Sequence, residues 1–242
     1  MTTLVTPQDI FQKDDLHAAI DQMKVLFPDQ AERFEQEREK LIQEILKKKS
    51  IENIAPIQIN EENEQTYLSK SLINSNFVCT TSAPLIGSPV KDLIGGCQFA
   101  LIQVSFNIVA FVCSLLGCKV SFNAKIAQKI WDCLEKSGDV DELLDALIEF
   151  KDAEGAFDKA SALFKAFTIL MEVGVFGAVL DAIKEGATWW EWSLMVVSIT
   201  AMITAWVASG GAAFVALAAV RVMAACDLIS STIEAVKECC LD

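Results

Sequence analysis

The sequence predicts an all-α protein: a multi-helix bundle around a central apolar helical hairpin, with an N-terminal charged helical hairpin. Three observations predict it. Pro (5), Gly (11) and Tyr (1) are scarce among 242 residues while Leu, Ala, Ile, Lys and Glu are plentiful, a balance that favours helices over short strands and turns. Apolar residues recur at three- and four-residue spacing along most of the chain. Finally, Trp192–Val220 has no ionisable side chain, is fenced by Glu191 and Arg221, and is split by Gly210-Gly211. A run that apolar must be buried in protein or in lipid.

The burial demand is heavy. Hydrophobic residues make up 52% of the chain and charged residues 22%, with a mean hydropathy of +0.37. Such a length holds one large domain or two small ones. Acidic residues outnumber basic ones 33 to 20, a net charge of −13, which argues against a nucleic-acid partner because phosphate recognition needs clustered Lys and Arg. The same charge opposes approach to an anionic bilayer at neutral pH, and acid would weaken that repulsion. An acidic surface that keeps the protein soluble explains the charge better.

Three parts follow along the chain: residues 1–49, a charged helical hairpin; 50–89, a partly irregular linker; and 90–242, an apolar helical bundle. The first helix is signalled by Thr6 as N-cap, Pro7 in the first turn and Asp9, with Leu16, Ile20, Met23 and Phe27 on one face. Pro28 ends it. Asp29 with Glu32 is a cap signal for a second helix, striped by Phe34, Leu41, Ile42, Ile45 and Leu46 and closed by Lys47-Lys48-Lys49, where the helix dipole favours cations. From Ser50 to Pro89 periodicity fades among Asn and Pro, with one short helix expected near Gln65–Leu72.

The bundle opens with Phe99, Ile102, Phe106, Val109 and Cys113 at helical spacing, interrupted by Gln98, Gln103, Ser105, Asn107 and Ser114. Such interruptions suit the central helix of a soluble bundle better than a lipid-exposed span. A helix near Asn123–Lys136 carries Ile126, Ile130 and Leu134, and another, starting at Asp139 with Glu142 as its capping partner, carries Leu143, Leu147 and Phe150. One long helix is expected from about Ala153 to Lys184, with Phe157, Phe164, Phe167, Met171 and Val175 as its stripe. Gly174 and Gly177 would admit a neighbour or a bend.

Gly210-Gly211 divides the charge-free run into two expected arms, Trp192–Ser209 of about 27 Å and a second reaching about Cys226, of about 24 Å. Ala201, Ala205 and Ala208 line the first, and Ala212, Ala216 and Ala219 the second, so small residues would let the arms pack closely. Trp192, Trp206, Gly210, Gly211 and Phe214 mark the hairpin as a candidate membrane-insertion element. Trp189 and Trp190 at its mouth have the character of interface aromatics, and equally of aromatic packing at a bundle end.

Positive signs of enzymatic chemistry are missing. His17 is the sole histidine and lies beside an apolar stripe, which disfavours histidine triads and most zinc sites. There is no Cys-x-x-Cys pair, phosphate-cradling glycine loop or zinc-protease motif, and Asp14-Asp15 and Glu61-Glu62 read as solvated charge. We therefore expect no enzyme, no cofactor and no metal. The eight cysteines lack the spacing of a disulfide scaffold, and most read as small buried hydrophobes. The vicinal pair Cys239-Cys240 has the chemistry for redox or lipidation, but the terminus does not match a prenylation box and an incidental pair fits better. Met1 opens onto polar helical sequence with no Sec-type signal, so the expected location is cytoplasmic, or release by a non-Sec route, with membrane association after a trigger.

Amphipathic helices around a charge-free, Ala- and Gly-rich hairpin resemble the pore-forming domain of colicins, a soluble bundle that hides such a hairpin and releases it into a membrane. The Bcl-2 fold has a comparable plan, without its Asn-Trp-Gly-Arg signature here, and Trp189–Phe214 is similar to segments of uncharacterised bacterial helical proteins. The likeness covers roughly Pro89–Asp242 and centres on Trp192–Cys226. It departs from colicins in lacking a basic C-terminal surface and in continuing from Asp227 to Asp242 as an amphipathic helix. It implies a membrane-active, toxin-like protein whose partner is a lipid bilayer, with oligomers allowed. The residues also fit a soluble interaction module that meets a protein partner through its N-terminal helices, or a carrier of a hydrophobic ligand between helices.

Overall fold

The computed structural model describes residues 13–51, 95–115, 120–184 and 187–240. The Thr6, Pro7 and Asp9 start signals and the expected short helix at Gln65–Leu72 lie outside them. Among the described residues the fold is all-α: α1 Lys13–Leu26, α2 Ala31–Gln36, α3 Arg38–Ile51, α4 Gly96–Leu115, α5 Ala124–Ser137, α6 Val140–Asp152, α7 Ala156–Glu172, α8 Val175–Ile183, α9 Trp189–Ala208, α10 Ala212–Val222 and α11 Cys226–Cys239.

The chain divides into two compact units, Met1–Asn74 with Lys184–Ala213, and Ser75–Ile183 with Phe214–Asp242. In the first unit, α1 packs on α2, α3 and α9, and α3 also reaches α9. The apolar stripes read from the sequence supply this core, with Leu16, Ile20, Met23, Phe27, Phe34, Leu41, Ile42 and Ile45 buried and Leu46 half-buried, although the single second helix expected is split at Glu37 into α2 and α3. The outer faces carry charge. Lys13 bonds Glu39 at 3.2 Å, Lys24 bonds Glu35 at 2.6 Å, and Arg38 bridges Asp21 and Glu35. Exposed pairs of this kind contribute roughly 0–1 kcal/mol each, so the charges keep the surface wet while apolar burial holds the helices together.

In the second unit α4 is the central helix, packed on α5, α7, α8 and α11, as its apolar composition requires. Two of its polar interruptions are accommodated: the Asn107 side-chain amide donates to Ser231 Oγ at 2.9 Å and to the Asp227 carbonyl at 3.1 Å, and Ser114 Oγ donates to the Phe111 carbonyl. Asn123 caps α5 by accepting from the Ile126 amide at 2.9 Å, and Gly138 closes that helix in the left-handed region.

Three expectations are corrected. The long helix expected over 153–184 is two helices bent by 74°, because Gly174 adopts φ +82° and ends α7. Asp29 does not cap the second helix; a 3-10 turn at Pro28–Gln30 precedes α2, and the Asp29 carboxylate accepts from Gln30 and Lys184 instead. Asp139 stands at the N-cap of α6, yet its side chain makes no cap bond.

Candidate functional site: the sheathed helix

α9 begins on a capping box that the sequence reading overlooked, although its Thr-x-x-Glu signal stands at 188–191. Thr188 Oγ1 accepts from the Glu191 amide, and the Glu191 carboxylate accepts from the Thr188 amide at 3.2 Å. The helix therefore starts at Trp189, three residues before the expected arm. It stops at Gly210-Gly211 as expected. The Gly211 amide donates to the Trp206 carbonyl at 2.8 Å and the Gly210 amide to the Val207 carbonyl at 2.9 Å, the paired bonds of a Schellman cap, with both glycines at positive φ.

The 20 residues of α9 span about 30 Å, the thickness of a hydrocarbon core. Its first turn is covered by the N-terminal helices. Trp192 is fully buried, with its ring 5.0 Å from Phe27, edge to face, and 5.7 Å from Phe34. Trp189 also meets Phe34, at 5.7 Å, and the Arg33 guanidinium lies 4.1 Å from its ring centre. Lys40 lies over Trp190 at 4.5 Å and Lys184 over Trp192 at 5.5 Å. Cations on the ring faces contribute about 0.5–1 kcal/mol at half-exposed rings such as Trp189 and Trp190. Further along, Thr200 Oγ1 faces the Met23 sulfur at 3.8 Å and Trp206 is buried. The structure thus brings Trp189, Trp190 and Trp192 together under α1–α3, around Phe27 and Phe34, which the sequence reading placed only in the core of a separate N-terminal hairpin.

Gly210 and Gly211 form the turn, but the element beyond it differs from the expected second arm. α10 ends at Val222 and, at 11 residues, extends about 16 Å, too short to cross a bilayer. The chain then bends by 99° into α11. Of the small residues expected along the two arms, Ala201 and Ala219 are buried, Ala205 and Ala216 half-buried, and Ala208 and Ala212 exposed. Phe214 is buried in the second unit, stacked on Phe167 at 6.4 Å and set 5.3 Å from Phe164.

By length and composition, two described helices are able to cross a membrane, α4 and α9, with 72% and 56% of their most apolar windows buried inside the protein. α4 was expected only as a bundle core.

The electrostatics of the sheath are local. Hydrogen bonds from Arg38, then from Lys24, hold the Glu35 carboxyl down at about 2, and the Arg38 hydrogen bond lowers Asp21 as well. The same carboxylates raise Arg38. His17 lies 3.8 Å from Glu39 on the α1 surface. Among the described residues no three His, Cys, Asp or Glu side chains gather as a metal site. An open groove of about 530 Å³, lined by Glu142, Asp145, Phe164, Lys165, Thr168 and Ile169, runs along α6 and α7.

Cys113 is a buried thiol as expected, but most of the described cysteines are not buried hydrophobes, and Cys79 and Cys118 lie outside the described residues. Cys97 and Cys239 form a disulfide, with Cα atoms 4.7 Å apart, and Cys226 is also disulfide-bonded. Cys239 is therefore committed to α4, and Cys240 alone of the vicinal pair keeps an exposed thiol. The pairing joins positions 142 apart in sequence, which spacing could not reveal. The chain matches no protein-family model, no curated protein and no solved structure.

Proposed function

We propose that this is a membrane-active protein of the pore-forming type, which stores α9 in a soluble fold beneath the charged helices α1–α3 and delivers it to a bilayer when that sheath moves aside. One observation carries the reading: a membrane-length apolar helix whose tryptophan-rich start is covered by amphipathic helices that are charged on their outer face. Release would expose Trp189, Trp190 and Trp192 together, side chains suited to a headgroup interface. The inserting element is α9 itself rather than a two-armed hairpin, since α10 is too short and α11 is tied to α4.

Dye release from neutral and anionic vesicles tests this, between about pH 4 and about pH 7, with and without proteolytic cleavage between α3 and α4. Leakage that increases on cleavage supports the reading. Vesicles that stay tight under every condition overturn it.

The second reading is a soluble interaction module in which α9 is only core. It is favoured by the complete burial of Trp192 and the near-complete burial of Trp206. Indole fluorescence that is unmoved by vesicles, with a monodisperse protein in the absence of detergent, is its signature. The carrier reading gains less, because the groove along α6 and α7 is open and edged by Glu142 and Asp145.

A further inference from the structure

The disulfide between Cys97 and Cys239 closes one end of the most extensive helix pair in the second unit. Cys97 lies in the first turn of α4 and Cys239 is the last residue of α11, so the two helices run antiparallel from the bond. Midway, Asn107 donates to Ser231 Oγ and to the Asp227 carbonyl. From α10, Arg221 donates to the Ser114 carbonyl at 3.3 Å, near the other end of α4. α4 is one of the two described helices long and apolar enough to cross a membrane, and it carries the buried thiol Cys113.

We infer that the Cys97–Cys239 bond is a redox lock on α4 that decides which apolar helices can leave the soluble fold. With the bond closed, α4 stays on α11, and α9 alone of the two membrane-length helices is movable. With it open, this end of the α4–α11 pair is held by packing and a few hydrogen bonds, and the separate disulfide at Cys226 stays closed. Both sulfurs belong to half-buried residues, and Cys239 adjoins the exposed Cys240, so a small dithiol has access to the bond. Its thiolate attacks Cys239 Sγ, the S–S bond breaks, and the electron pair leaves on Cys97 Sγ, which takes up a proton. The second thiolate of the reductant then displaces Cys239 as a thiolate and leaves the reductant as its own disulfide. Such a bond persists where thiols are oxidised and opens where dithiol reductants are maintained. The lock is a property of the second unit; its effect on membranes rests on the function proposed above.

Cys113 is the built-in reporter. The oxidised and the dithiothreitol-reduced full-length protein, without lipid, are exposed to iodoacetamide, and the modified cysteines are located by mass spectrometry. Cys240 reacts quickly in both states and serves as reference. Reduction is expected to speed alkylation of Cys113 by about tenfold or more, as local opening replaces protection. The C97S/C239S variant, which leaves the bond at Cys226 alone, is expected to do the same without reductant. Alkylation of Cys97 and Cys239 with Cys113 still at its oxidised rate would overturn the lock. If the variant does not fold, graded reduction of the wild type decides the matter, by whether Cys113 reactivity follows opening of Cys97–Cys239. Vesicle leakage in both redox states separates the two proposals: faster Cys113 labelling with tight vesicles keeps the lock and removes the membrane function, and leakage without a change at Cys113 does the reverse.

Discussion

Phe27, the residue before the proline that ends the first helical stripe, meets Trp192 edge to face at 5.0 Å. The contact fastens the charged N-terminal helices to the start of the longest apolar run in the chain. Phe27 is 5% exposed and Trp192 0%, so the pair is fully part of the core.

Removing that contact is the most direct way to loosen the sheath. Phe27→Ala is expected to cost about 3–4 kcal/mol, from lost burial and the cavity left beside Trp192. Urea unfolding followed by tryptophan fluorescence measures the loss, and the native emission should shift to the red. If vesicle leakage by this variant is no greater than that of the wild type, the sheath does not control release of α9.

The acid response follows from the Arg38 cluster. Glu35 is held at about 2 against an ordinary 4.5, so its folded pKa lies below the unfolded one. Its contribution to stability is complete above about pH 4.5 and is lost as pH falls toward about 2. Glu35→Gln should therefore flatten part of the decline of the urea midpoint across that window, while the lowered Asp21 and Asp29 keep the rest. Leakage triggered by mild acid above about pH 5 cannot be driven by this cluster.

Gly210→Ala tests the turn after α9. Gly210 sits at φ +62°, and no heavy atom lies within 4 Å of an added Cβ, so the penalty is backbone strain alone. About 1–2 kcal/mol of destabilisation is expected, read from chemical denaturation. A neutral result would mean that the helix end relaxes into another geometry.

Thr188→Ala removes one half of the capping box that starts α9. The expected loss is about 1 kcal/mol, with hydrogen exchange speeding first at the amides of residues 189–191. Thr188→Ser should restore most of it, since the serine hydroxyl can accept the same bond.

Much of the fold was legible from local chemistry. The stripes Leu16-Ile20-Met23-Phe27 and Leu143-Leu147-Phe150 are buried as their spacing requires. Gly210-Gly211 breaks the apolar run through its positive φ values. Each of these is decided within a few residues of chain, where periodicity and capping act.

Partnership was not legible. The sequence by itself determined that Trp192–Val220 is helical, apolar and broken at the glycine pair. Only the tertiary structure decided that its first part lies against α1 and α3, and that its second part ends at Val222 and buries Phe214 against Phe164 and Phe167. Only it paired Cys97 with Cys239 across 142 positions. Burial is non-directional, so an apolar face states how much partner it needs without naming which partner supplies it.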